Sequence, residues 1–157
     1  MKKFAFSLEK VLGYKRQVLG VLKNELSRLQ LQRREIEQKM DEIDCEFEAT
    51  NQKLSAQMRD GMSPHTVAVY KAYLDSLNRR TLTLLDEKRK LLKMIAAKQE
   101  EIVRMNCDIS GLERLRDKQF EAYCTQERKE QETFIEEFVS HVGSTAGQVP
   151  ARQTIRI

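Results

Sequence analysis

The chain has 157 residues, of which 33% are charged and only 6% are aromatic, and it contains six glycines, two prolines and no tryptophan. So few helix-breaking residues in a sequence rich in Leu, Glu, Lys, Arg and Gln favour long helices over a compact mixed fold. No stretch approaches the roughly 20 apolar residues that a membrane span requires. The formal net charge of +4 is too small to imply nucleic-acid binding by itself.

The opening residues MKKFAFSLEK combine two lysines with a short apolar patch, as a secretory signal does. Glu9 and Lys10 interrupt the patch and no small-residue cleavage site follows, so we expect a soluble protein without a signal peptide.

Cys45, Cys107 and Cys124 lack the spacing of a zinc site or a disulfide framework, which favours free thiols in a reducing cytoplasm. Charge is unevenly distributed, at +5 over residues 1–23 and −4 over residues 121–137.

Apolar residues recur with a seven-residue period through the first part of the chain. Two columns of positions make up this pattern: Leu12, Leu19, Leu26, Arg33, Met40, Phe47 and Leu54, and Leu8, Lys15, Leu22, Leu29, Ile36, Ile43 and Thr50. Columns three or four residues apart that each step by seven are typical of the a and d core positions of a coiled coil. The pattern predicts a helix over residues of about 5–58. Gly13 and Gly20 weaken its start, which we expect to be the looser end.

The stretch RDGMSPH interrupts this pattern at residues 59–65. Gly61 is suited to end a helix in a left-handed conformation, Ser63 to cap the next helix, and Pro64 to occupy its first position. A short turn between two long helices predicts an antiparallel hairpin. Folding the chain about Gly61 pairs residues whose numbers sum to about 122.

A second heptad pattern follows the turn. Its two columns are Val67, Leu74, Thr81, Lys88, Ile95, Ile102, Ile109, Arg116 and Tyr123, and Tyr70, Leu77, Leu84, Leu91, Lys98, Met105, Leu112, Gln119 and Gln126. We therefore predict an all-α, antiparallel two-helix coiled coil that forms one domain over residues 1–142. In it, a turn at about 59–63 leads into a second helix over about 64–142, and a disordered tail follows over residues 143–157.

No catalytic or cofactor-binding motif is present. His65 and His141 are isolated, and the sequence contains no phosphate-binding loop, dinucleotide fingerprint or nucleophile elbow. We expect a protein that is not an enzyme, with no cofactor and no metal.

Five basic residues interrupt the apolar columns: Lys15, Arg33, Lys88, Lys98 and Arg116. They either fix the register of the two helices or keep part of the surface available to a partner, and we favour the first interpretation. Arg33 and Lys88 would face each other and repel unless Glu37 or Glu87 lies between them.

Three segments resemble the flagellar export protein family FliJ: KKFAFSLEKVLGYK at the start, GMSPHTVAVYKAYLDSL after the turn, and GLERLRDKQFEAYCTQERKEQE near the end. The resemblance covers residues of about 2–140. It implies a cytoplasmic component of the bacterial type III export apparatus, peripherally associated with the membrane. Members of the family resemble the central γ stalk of rotary ATPases.

The resemblance also implies partners and contact residues. The terminal end of the coiled coil would enter the hexameric export ATPase, FliI, and promote its assembly. Other contacts would be made with the cytoplasmic domain of the export-gate protein, FlhA, and with export chaperones. The residues expected at the ATPase ring are Phe4, Phe6, Leu8, Lys10, Leu12, Lys15 and Arg16. Those expected at the gate are Tyr73, Leu77, Arg80 and Leu84.

The residues alone also allow other interpretations. The basic first segment could bind anionic lipid as part of a peripheral membrane or scaffold coiled coil. It could also form a nucleic-acid-binding arm, but it lacks the interleaved aromatic residues typical of such arms, and we expect no nucleic-acid partner. Phe4, Phe6 and Tyr14 are expected in the core beside Leu8 and Leu12. The apolar Phe134, Ile135, Phe138 and Val139 in the acidic segment are expected to contact a partner. Self-association through the coiled coil is a further possibility.

Overall fold

A computed structural model describes residues 3–146 of the chain, with side chains described for residues 3–143. Two helices account for most of it, α1 over Glu9–Asp60 and α2 over Pro64–Ala146, and no β-strand occurs in the described residues. This architecture confirms the predicted all-α fold of two long helices. Residues 147–157, which make up most of the predicted disordered tail, lie outside the described part.

The two outer helix ends differ from their expected positions. α1 begins at Glu9 rather than near residue 5, because residues 3–6 have no regular secondary structure and residues 7–8 form a turn. α2 continues past Gly143 to Ala146. A glycine ends a helix when it adopts the left-handed conformation, and the only positive φ among the described residues belongs to Gly61. Gly143 therefore weakens α2 without ending it.

The turn forms as its sequence predicts. Gly61 has a φ of 92°, the left-handed conformation in which glycine carries no steric penalty. The Ser63 hydroxyl accepts a hydrogen bond of 3.4 Å from the Thr66 backbone N–H, and the Ser63 carbonyl accepts one of 3.2 Å from the Val67 N–H. Pro64 follows at the first helical position. These groups satisfy part of the hydrogen-bonding requirement at the start of α2.

The chain divides into two compact units, one formed by Tyr14–Asp108 and the other by the residues up to Gly13 together with those from Ile109 onward. Within the Tyr14–Asp108 unit the helices run antiparallel, since ion pairs join Glu25 to Lys98 and Glu37 to Lys88. The numbers of these pairs sum to 123 and 125, close to the expected 122. The register predicted from the turn alone is therefore correct to within a few residues.

Burial follows the two heptad columns closely. Every one of the α1 column positions is buried or half-buried, and in α2 only Gln119 and Gln126 are exposed. Leu12 and Leu77 are completely buried. Because burying a leucine contributes about 1.5–3 kcal/mol, these columns are the main source of stability. The columns reach the surface at Gln119 and Gln126, beyond Leu112.

Candidate partner-binding surfaces

The residues predicted to contact the ATPase ring are divided between the two units. Phe4, Phe6, Leu8, Lys10 and Leu12 belong to the unit that contains both termini, whereas Lys15 and Arg16 belong to the Tyr14–Asp108 unit. Lys10 and Arg16 are exposed, and the others are buried or half-buried. The apolar members of the set are therefore largely occupied by contacts within the protein.

An aromatic cluster holds the first residues against α2. The ring of Phe4 lies 5.3 Å from that of Phe120 in an edge-to-face arrangement at 72°, and 5.7 Å from that of Tyr123. Such aromatic pairs stabilise by about 0.5–1.5 kcal/mol beyond their burial. Burial in this cluster, and secondarily the nearby Glu127 carboxylate, raises the pKa of Tyr123. The cluster anchors the N-terminal segment, which leaves Phe4 and Phe6 only partly accessible to a partner.

Tyr14 lies outside this cluster. Its side chain is 66% exposed, so the prediction that it lies in the core beside Phe4 and Phe6 is wrong. The reason is its position in the heptad, since the core columns pass through Leu12 and Lys15 and leave Tyr14 on the neighbouring face. Val21, one heptad further on, is also exposed.

Each basic residue in the core columns has a carboxylate partner. The Lys15 ammonium lies 2.6 Å from Asp108, and Lys98 lies 2.9 Å from Glu25 and 3.0 Å from Glu101. Arg116 pairs with its neighbour Asp117 at 3.3 Å. The hydrogen bonds that Lys98 donates to Glu25 and Glu101 raise the pKa of Lys98, and the bond to Glu25 is the principal cause. The pairs that join the two helices, Lys15–Asp108 and Lys98–Glu25, agree with the interpretation that these residues fix the register, whereas the Arg116 pair lies within α2.

Glu37 separates the two cations that were expected to repel. Its carboxylate lies 3.0 Å from Lys88 Nζ and 3.7 Å from Arg33 Nε, which confirms the prediction that an acid intervenes there. The hydrogen bond from Lys88 is the principal reason that the pKa of Glu37 is lowered. Arg33 Nε is buried and forms no hydrogen bond within residues 3–143, so Glu37 is its compensating charge.

The residues predicted to contact the export gate all belong to α2 in the Tyr14–Asp108 unit, but they differ in accessibility. Leu77 is completely buried and Leu84 is half-buried, whereas Arg80 is exposed and Tyr73 is 40% exposed. Leu77 can therefore support this surface but cannot touch a partner while the helices remain packed. Tyr73 and Arg80 are the accessible members.

A shallow groove of about 440 Å³ lies beside Arg80 and Leu84. Residues of both helices line it: Lys39, Glu42, Ile43 and Glu46 from α1, and Arg80, Thr83 and Leu84 from α2. The Tyr73 hydroxyl donates a hydrogen bond to the Glu46 carboxylate at the side of the groove, and this bond raises the pKa of Tyr73. The groove combines two apolar residues, Ile43 and Leu84, with charged side chains of both signs, and this mixed character is typical of a protein-binding surface.

The α1 side of this groove was missed at the sequence level. The signal was nevertheless present, because the register that sums to about 122 places Ile43 and Glu46 opposite residues 79 and 76. The ion-pair partners Asp108 and Glu25 follow from the same register. The register leaves a choice at Lys98, which pairs with Glu101 of its own helix as well as with Glu25.

The last described turns of α2 contain the expected exposed apolar residues. All side chains of residues 131–143 are exposed, including Phe134, Ile135, Phe138 and Val139. Glu130, Gln131, Phe134 and Ile135 line a groove of about 460 Å³. Large apolar groups exposed in one segment are typical of a protein-binding surface.

The cysteines carry no additional chemistry. All three are free thiols, with Cys45 and Cys107 exposed and Cys124 half-buried. Cys124 lies next to the core position Tyr123, and α2 turns it partly inward. No group of three or more metal-binding side chains occurs within the described residues. No helix in residues 3–146 is both long and apolar enough to cross a membrane.

Comparison with known proteins agrees with the geometry. The family described as "Flagellar FliJ protein" matches residues 4–147, which include both helices and the turn. Searches among curated proteins and among solved structures return no significant match. Because the family match covers most of the chain, the protein belongs to the FliJ family and is a component of flagellar protein export.

Proposed function

We propose that the protein is a non-enzymatic stalk that binds the hexameric export ATPase, promotes its assembly, and couples it to the export gate and to export chaperones. The observation that carries this proposal is the family match over both helices, residues 4–147. The packing supports it, since the core is formed by two heptad columns along the contact between helices. Such a protein acts through its surface, because a two-helix coiled coil has no interior in which to enclose a substrate.

The gate contact is proposed for the groove beside Arg80. Tyr73 and Arg80 supply accessible polar groups, and Ile43 and Leu84 are the apolar residues that line the groove. The buried Leu77 packs against α1 and fixes the position of α2. A carboxylate on the gate surface would pair with Arg80, and the surface around it would cover Ile43 and Leu84. Arg80→Ala should then weaken gate binding without changing the fold, because Arg80 is exposed.

The test is reconstitution with purified export ATPase. Adding the protein should increase the fraction of ATPase in hexamers, measured by mass photometry, and raise the rate of ATP hydrolysis at limiting ATPase concentration. Arg80→Ala is the matched control, since it should keep the effect on the ATPase while losing affinity for the cytoplasmic domain of the gate. Unchanged assembly, rate and binding with the wild-type protein would refute the stalk proposal.

A second candidate function is binding to anionic lipid, which would make the protein a peripheral membrane protein. Tyr14 and Val21 lie seven residues apart on one helical face and favour it because both are exposed, and the exposed Arg28 lies a further seven residues along the same face. Flotation with vesicles that contain 30% anionic lipid distinguishes the two functions. The stalk proposal predicts little binding, and strong binding that Tyr14→Ser/Val21→Ser abolishes would favour the lipid function.

A further inference from the structure

One side of α2 carries a line of apolar residues that is separate from the two core columns. Within the Tyr14–Asp108 unit this line consists of Leu82, Leu85, Leu92, Ala96 and Val103. At about 100° per residue these positions fall within an arc of about 80° that lies beside the core columns. Leu82 is 64% exposed, Leu92 41% and Val103 60%, so the arc reaches the surface. We call it the lateral stripe.

The lateral stripe and the groove beside Arg80 lie on opposite sides of the hairpin. Arg80 and Thr83 flank the core columns of α2 on the side that faces the groove. The same helical geometry places Leu82 and Leu85 on the other flank. A partner bound to the lateral stripe would therefore leave this groove accessible.

Charged residues run along the outer edge of the lateral stripe at seven-residue intervals and alternate in sign: Arg79, Asp86, Lys93 and Glu100. All four are exposed. The signs are reversed about a point between residues 89 and 90, so an antiparallel second α2 centred there would place Arg79 opposite Glu100 and Asp86 opposite Lys93. The numbers of both pairs sum to 179. A parallel second α2 would instead bring like charges together.

Two of these acids already have a partner within α2. The Asp86 carboxylate lies 3.1 Å from Lys90, and the Glu100 carboxylate lies 2.6 Å from Arg104. Ion pairs between exposed side chains stabilise by only about 0–1 kcal/mol, so these do not prevent contact with a second chain.

The same side of α1 has a charge pattern with the same centre. Its charged residues are first basic and then acidic: Arg16, Lys23 and Arg34, followed by Glu37, Asp41, Asp44 and Glu48. The ion pairs between the helices, whose numbers sum to 123 and 125, place residues 34–37 opposite residues 86–91. The change of sign on α1 therefore lies beside the centre of the pattern on α2.

We propose that the lateral stripe is a self-association surface, on which a second copy of the chain packs antiparallel about a two-fold axis near residues 89 and 90. A two-fold interface uses the same patch of both copies, so the patch must be complementary to itself. The two charge patterns meet this requirement, and the alignment also brings Leu85 close to Ala96 of the second copy. On α1 it brings Lys23 close to Asp44 of the second copy.

Charge selects this occupant over others. The lateral stripe has acids as well as bases along its edge, so an anionic membrane or a nucleic acid would be repelled by half of the pattern. Arg34 lies near the proposed axis and would meet its own counterpart, which is a like-charged contact. Arg34→Gln should therefore strengthen the association, and a weaker association in this variant would contradict the alignment.

The test is sedimentation velocity of the full-length protein alone, over a concentration series of about 1–200 µM in the presence of a reducing agent. The average mass of the wild type should rise from that of one chain towards that of two. Leu82→Ser/Leu92→Ser should weaken the association at least tenfold because it removes apolar groups of the stripe. Val69→Ser/Met94→Ser is the matched control, since both residues are 55% exposed on the far side of α2, and it should change the association by no more than twofold. Circular dichroism at the lowest concentration shows that each variant is folded.

The antiparallel alignment is tested by exchanging charges. Asp86→Lys would face Lys93 of a second identical copy, and Lys93→Glu would face Asp86, so each variant should associate at least tenfold more weakly than the wild type at low salt. An equimolar mixture of the two variants should associate as tightly as the wild type, because each chain then meets the opposite charge. The weakening should shrink at high salt, which screens exposed charges.

Three results would overturn the inference: a wild type that remains monomeric through the series, stripe and control variants that associate equally, or a mixture that associates no more tightly than either charge variant alone. None of them bears on the proposed function, because no ATPase or gate protein is present in these measurements. Failure of the protein to bind the export ATPase would likewise leave the self-association surface standing.

Discussion

Two parts of α2 use similar apolar residues for different purposes. Between Leu74 and Ile109 the leucines and isoleucines of the core columns face α1 and are buried or half-buried, whereas Phe134 and Phe138 remain exposed. Helical periodicity is present in both parts. The difference lies in the presence of α1, because an apolar stripe becomes a core only where another helix covers it. The first part stabilises the fold, and the second is available to a partner.

The largest expected effect is at the buried part. Leu77→Ala removes a completely buried side chain and should lower the free energy of unfolding by about 2–5 kcal/mol. Urea denaturation followed by circular dichroism measures it. Leu82→Ala, at an exposed position of the same helix, is the control and should change stability by no more than about 0.5 kcal/mol. Equal effects of the two variants would show that α2 does not pack in this register.

A smaller effect is expected where α1 begins. A methyl group added at Gly20 meets no atom within 4 Å, so Gly20→Ala should gain the helix propensity of alanine without a clash. The expected stabilisation is about 1 kcal/mol, or about 2–4 °C in Tm for a chain of this size. Hydrogen exchange should be faster at amides 8–22 than at amides 36–54 in the wild type, and the variant should narrow this difference. Equal protection of the two sets of amides in the wild type would refute the prediction that the start of α1 is its looser end.

The ion-pair cluster should make a pH-dependent contribution. Because the pKa of Glu37 is lowered in the folded protein, its contribution is present above the ordinary value of about 4.5 and is lost as the pH falls through the lowered pKa. Glu37→Gln should therefore be less stable than the wild type at pH 7, and the difference should shrink as the pH falls below 4.5. Glu48→Gln, an exposed acid of the same helix, is the control for the general loss of charge. A difference that stays constant between pH 7 and pH 3 would contradict the assignment.

The smallest effect on stability is expected at the exposed apolar residues near the end of α2. Phe138→Ser removes a large aromatic side chain, but that side chain is already exposed in the free protein. The free energy of unfolding should change by less than about 0.5 kcal/mol. Differential scanning calorimetry of the isolated protein measures this, and a loss above about 1 kcal/mol would show that Phe138 packs within the protein and is not available for docking.

Most of the fold could be predicted from the sequence because heptad periodicity, Gly61 and the Ser63–Pro64 pair each restrict the backbone independently. The intervening role of Glu37 followed from the register, since the charges in question lay on facing positions. The start of α1 could not be placed, because Phe4 and Phe6 are compatible with helix and their contact with α2 is a tertiary effect.

The candidate surfaces were less predictable for a physical reason. Position in the heptad separates buried from exposed residues, which is why Leu77 can be recognised as a core residue even though a motif places it in the gate contact. It does not indicate which exposed residues lie together across two helices. The register places Ile43 opposite residue 79, but it does not show that Ile43 and Leu84 line one groove.

The ion pairs between α1 and α2 have a consequence for how the hairpin folds. Two apolar columns with a seven-residue period would match almost as well if one helix slid by a heptad along the other. Such a slip would bring Lys98 opposite Gln32 or Val18 in place of Glu25, and one of the two directions would also bring Lys88 opposite Gln30. Each misaligned pairing would remove the Lys98–Glu25 ion pair between the helices and leave Lys98 only the Glu101 carboxylate of its own helix, at a cost in free energy. The charged residues in the core columns therefore destabilise the competing alignments more than they stabilise the native one.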